Sequence, residues 1–129
     1  MKTKHIFLSL LVMLIASIAI APEACAEVNN SINGFFKKET SNAWETIYIE
    51  YSPSSGKATV WYNSESSWDG STLQHFVMKG RVTNGWLKVS GSGTSHGRKT
   101  TMNVKITLVD RNTIRVVVGN GNSYYFYRD

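Results

Sequence analysis

Residues 99–109, Lys-Thr-Thr-Met-Asn-Val-Lys-Ile-Thr-Leu-Val, decide the fold. Met102, Val104, Ile106 and Leu108 fall on one side of an extended chain, and Thr101, Asn103, Lys105 and Thr107 fall on the other. A period of two is the pattern of a strand with one dry face and one wet face. A helix would repeat its apolar residues every 3.6 positions, and no such repeat occurs after residue 27.

The same alternation runs outward in both directions. Phe76, Met78 and Val82 oppose His75, Lys79 and Arg81, with Gly80 on the apolar side. Ile114, Val116 and Val118 oppose Arg115. Ile47, Ile49 and Tyr51 share a parity, and so does Glu45, while Glu50 lies opposite. After residue 26 there are two alanines and three leucines, against ten valines, five isoleucines and ten threonines. These stiff β-branched side chains suit a pleated surface. Turn chemistry divides the chain regularly. Asn84-Gly85 suits a type I′ hairpin, in which both central residues need positive φ. Ser52 to Gly56, Ser95-His96-Gly97, Asp110-Arg111-Asn112 and Asn120-Gly121-Asn122 are further turn signals. The stretch from Asn63 to Thr72 reads as the longest and most polar loop.

Eight strands follow, at 32–39, 44–51, 57–62, 73–83, 86–94, 99–109, 113–119 and 123–128. The expected fold is all-β: an antiparallel eight-stranded up-and-down meander closed into a small barrel, which leaves no exposed edge. A β-sandwich is the alternative, but its crossovers need longer connections. Gly34, Gly80, Gly91 and Gly93 lie inside strands, where closure requires bends.

The first 26 residues have a different chemistry. Lys2 and Lys4 precede an uncharged apolar run from Ile6 to Ala21, and Ala24-Cys25-Ala26 offers a cleavage site. This is the pattern of a secretory signal peptide. The run is shorter than the ~20 residues of a membrane span. The alternative, a lipid-anchored Cys25, is poorly served by the preceding Pro22-Glu23-Ala24. The expected product is a single domain, residues 27–129, that is secreted or periplasmic, free of cysteine and without an integral membrane span. It carries 12 basic and 8 acidic residues, a net charge of +4. The basic residues form no run longer than Lys37-Lys38 or Arg98-Lys99, so nucleic acid is not an expected partner.

The chain resembles the lipocalin-like (calycin) group of small secreted up-and-down barrels. The resemblance rests on the glycine-aromatic strand Gly34-Phe35-Phe36, the eight-strand meander, and a closing strand that ends in Tyr127-Arg128. It implies a binding role without naming a ligand. The chain is shorter than a typical lipocalin and lacks its disulfide.

Catalytic residues are sparse. Only His75 and His96 remain after residue 26, one on a polar strand face and one in a turn. No nucleophile elbow accompanies them, and two separated histidines are too few for a zinc site. No catalytic residue, metal or cofactor is expected.

Aromatic residues are the better lead, because interface anchors are enriched in Trp and Tyr. Trp68 stands in the polar Asn63–Thr72 loop, placed either to fold over the barrel mouth or to anchor a partner. Trp61 and Trp86 lie beside turns, where core packing at a barrel end competes with a binding role. Trp44, Tyr62 and Tyr125 complete the candidate set. Large inward candidates, among them Phe76, Met78, Ile106 and Phe126, suggest a filled interior. A filled barrel favours a non-enzymatic, inhibitor-like or immunity-like protein that engages a protein or surface partner through its aromatics. The alternative is a carrier of one small apolar or glycan ligand, which needs open interior volume. An enzyme with an unrecognised site ranks last.

Overall fold

The computed structural model describes residues 27–129. The expected signal peptide and Cys25 lie outside the described residues. Eight strands follow in order: β1 (Gly34–Glu39), β2 (Ala43–Ser52), β3 (Lys57–Ser66), β4 (Thr72–Thr83), β5 (Trp86–Ser95), β6 (Arg98–Asp110), β7 (Thr113–Val118) and β8 (Ser123–Arg128). Each pairs antiparallel with the next, and β1 pairs with β8 through Phe36–Arg128 and Lys37–Tyr127. This closed barrel excludes the sandwich and fits a calycin-like fold in general.

Alternation carries through as read. Met102, Val104, Ile106 and Leu108 point inward, and so do Phe36, Ile47, Ile49, Val60, Phe76, Met78, Leu87, Ile114, Val116 and Phe126. The Asn84-Gly85 turn has φ of 53° and 78°, and His96-Gly97 repeats the geometry at 50° and 78°. Gly91 is required by close approach: a Cβ there would lie 2.0 Å from the Val77 carbonyl oxygen, where β5 folds tightly against β4.

Two expectations change. Residues Asn30–Ile32 form one 3-10 turn, and β1 starts at Gly34 rather than Ile32. The side chain of Asn29 accepts from the Ser31 amide at 2.8 Å and caps that turn. The expected Asn63–Thr72 loop is shortened to Ser67–Ser71, since β3 runs to Ser66 and β4 starts at Thr72. Its polar residues are paired in register, Asn63 with His75 and Ser64 with Gln74. Polarity there marks strand ends beside a wet barrel mouth, not loss of the ladder.

The two ends of the barrel differ. At the end where β1 begins, the 3-10 turn places Ile32 across the opening with no exposed surface. The Asn33 side chain fastens this turn to β2, accepting from the Tyr51 amide at 2.5 Å and donating to its carbonyl at 3.1 Å. Arg128 completes the floor. Its Nη1 donates to Asn33 O at 2.9 Å, Nη2 to Ser31 O, and Nε to Arg111 O at 3.0 Å. Its guanidinium carbon sits 4.4 Å from the centre of the Phe36 ring. Gly34 has φ +118°, and a Cβ there would stand 3.0 Å from Arg128 Nη1. Among the described residues, no such plug occupies the opposite end.

Candidate functional site: the open barrel mouth

The inward parity of β1, β2 and β3 continues above the apolar layers into charged and polar residues. Lys38, Glu45 and Tyr62 form a row across these three strands. Lys38 and Glu45 are direct cross-strand partners. Lys38 Nζ lies 3.0 Å from Glu45 Oε2, with the two side chains 25% and 19% exposed. The Tyr62 hydroxyl donates to Glu45 Oε1 at 2.5 Å. Both carboxylate oxygens of Glu45 are therefore occupied. The Lys38 ammonium has three donors, so it keeps capacity for a further acceptor. It also lies 4.9 Å from the Tyr124 ring centre, within cation–π range. On β4, Gln74 Nε2 donates to Ser95 Oγ at 2.9 Å.

Tyr62 is largely buried beside a carboxylate. Burial raises its phenol pKa first, the hydrogen bond to Glu45 raises it further, and the carboxylate charge adds to both. The proton that bridges Tyr62 and Glu45 is thus held far above the ordinary phenol range.

These groups line one side of a cavity of about 370 Å³. Met102, Val116 and Val118 line it from β6 and β7, Tyr124 stands beside Lys38, and Ile47, Met78, Val104 and Phe126 complete the apolar lining. The lower half of the barrel is filled by Ile32, Phe36, Ile49, Leu87, Ile106 and Ile114, all fully buried. The uniformly filled interior expected from the count of large residues is therefore confined to that half. Met102 and Val118 are too short to cross the upper half, and Lys38 and Glu45 stand on its wall in place of apolar groups.

Of the six aromatic candidates, Tyr62 alone lines this cavity. Trp61 and Trp86 do not cap a barrel end; both project from the outer wall, because their parity is that of Thr59 and Lys88. Trp61 lies in an outer row, with Tyr48 at 5.4 Å and Phe35 at 4.5 Å beyond it. Trp86 lies under Lys105, whose Nζ is 4.4 Å from its ring centre. Tyr125 shares that side of the barrel, opposite Arg115. Trp44 stands on the outer face beside Glu39 and Glu65. Trp68 occupies the tip of the β3–β4 hairpin, is 82% exposed, and does not fold over the mouth. The candidates thus scatter over the rim and opposite walls.

Lys38 and Glu45 were the missed residues. Their signal was present in the alternation, since Lys38 shares the parity of Phe36, and Glu45 that of Ile47 and Ile49. Among the described residues no group of three or more His, Cys, Asp or Glu gathers as metal ligands, and no helix is long and apolar enough to cross a membrane. Comparison with protein-family models, curated proteins and solved structures gives no match.

Proposed function

We propose that the protein is a non-enzymatic, lipocalin-like binding protein that holds one small amphiphilic ligand in its barrel mouth, acting in the secreted or periplasmic setting implied by residues 1–26. The observation that carries this reading is the graded cavity of about 370 Å³, apolar below and polar along one rim. Its size lies in the range of small-molecule sites, which are mostly apolar with a few placed polar groups. An apolar body fits against Met78, Met102 and Phe126. A carbonyl or carboxylate head fits the Lys38 ammonium, which the Glu45 carboxylate keeps in place.

The neutral dye N-phenyl-1-naphthylamine tests the reading. Saturable one-to-one binding with a rise in fluorescence is expected, and Val118→Trp, which fills the mouth, should abolish it. Dye binding that is absent, or unchanged in Val118→Trp, would reject the carrier.

A second reading rests on the 82% exposure of Trp68. A large ring held at a hairpin tip suits a protein partner. Trp68→Ala should then reduce capture of a secreted partner while leaving dye binding intact.

A further inference from the structure

Strand pairing gathers a basic surface from cations that are dispersed in the sequence. No Asp or Glu occurs between Asp69 and Asp110, a stretch that holds six of the chain's lysines and arginines. On the outer wall, Lys88 stands directly opposite both Arg81 on β4 and Lys105 on β6. Neighbouring strands are about 4.8 Å apart, and like charges placed opposite one another oppose folding. Lys79, opposite Ser90, and Arg115, opposite Thr107, extend the patch on β4 and β7. The ion pairs found among the described residues lie elsewhere, at Lys37 and Lys38.

A depression of about 510 Å³ accompanies this row. Lys88 and Lys105 flank it, Ser90 and Asn103 offer a hydroxyl and an amide, Val117 adds an apolar contact opposite Lys105, and Gly119 and Gly121 contribute no side chain. Trp86 supports the cations, with Lys105 Nζ at 4.4 Å and the Arg115 guanidinium at 5.8 Å from its ring centre.

We propose that this wall of β4–β7 is a second binding site, for an acidic oligosaccharide. Lys88 and Lys105 would pair with its carboxylate or sulfate groups, and Ser90 and Asn103 with its hydroxyls. The chemistry of the patch selects this occupant. Single-stranded nucleic acid relies on free aromatic faces for stacking, and no aromatic residue is among those that line the depression. A flat bilayer would meet the convex barrel along a narrow strip and would not enter the depression. A short chain of hydroxylated, negatively charged rings matches both its concavity and its mixed lining.

Titration calorimetry of the full chain at low salt, with a sulfated heparin tetrasaccharide and with trigalacturonate, tests the proposal. Saturable binding of at least one sugar is expected. It should weaken as salt rises, and neutral cellotetraose should not bind. Lys88→Gln/Lys105→Gln should lower affinity by roughly tenfold or more, while Lys57→Gln/Lys99→Gln, with the same charge loss at hairpin ends, should leave it nearly unchanged. Ser90→Ala/Asn103→Ala should lower affinity without changing the salt slope. The melting temperature of Lys88→Gln/Lys105→Gln should hold or rise, because repulsion is relieved. The proposal is overturned if neither sugar binds, if the two lysine pairs behave alike, if Ser90→Ala/Asn103→Ala has no effect, or if an oligothymidylate or phosphatidylglycerol vesicles bind more tightly than both sugars.

Discussion

The floor and the mouth of this barrel are built from the same eight strands, yet they end in different chemistry. At the floor, a 3-10 turn inserts Ile32 and Arg128 ties three carbonyl groups together over Phe36. At the mouth, Lys38, Glu45 and Tyr62 stand where further apolar residues would complete the packing. The floor gains stability from burial and from satisfied backbone acceptors. The mouth gives up that gain and retains volume and hydrogen-bonding capacity. Dense packing and open volume are thus separated along the barrel axis.

Substitutions at the two ends should bring out this division. The largest effect is expected at the floor. Phe36→Ala removes a fully buried ring and should cost about 3–5 kcal/mol in denaturant unfolding. Met102→Ala at the half-buried mouth should cost about 1 kcal/mol. Equal losses would erase the distinction. Arg128→Ala comes next, at about 2 kcal/mol, since it leaves carbonyl groups at the floor without their charged donor. Dye binding at the mouth should persist below its lowered melting temperature.

Tyr62→Phe should change stability at neutral pH by about 1 kcal/mol. Its sharper effect lies in alkaline solution. Because the folded phenol pKa is raised, the native state keeps a proton that the unfolded state releases above its ordinary value near 10. The associated stability is fully present below that value and declines as pH rises beyond it. The wild type should therefore lose stability above about pH 10 more steeply than Tyr62→Phe. Parallel curves from alkaline melts would remove the Tyr62–Glu45 contact from the account. The smallest effect is expected for Trp68→Ala: at 82% exposure, its loss should leave the melting temperature nearly unchanged. A large drop would give the ring a packing role.

The fold was legible because its code is local. Alternation in residues 99–109 and the positive-φ pairs Asn84-Gly85 and His96-Gly97 specify strands and hairpins within a few residues. The site was less legible because it depends on pairs distant in sequence. Glu45 is positioned by Lys38 and by Tyr62, 17 residues away. The Arg81–Lys88–Lys105 row forms only once register is set. Polarity misled in one place: the serines near the end of β3 resemble a loop when read singly, but they pair across the rim. Aromatic residues attracted attention by size, while the inward charges on otherwise apolar strand faces marked the mouth.

Arg128 also bears on how the molecule is made. It joins β8 to a turn 95 positions earlier in the chain, where its Nη1 meets Asn33 O, and such distant contacts slow the search for the native state. Before the last strand arrives, β1 has an open edge and Phe36 lacks its cover. The same strand therefore closes the seam and seals the base, and a chain cut before Ser123 should be an unlatched ribbon, cleaved by protease faster than the full chain.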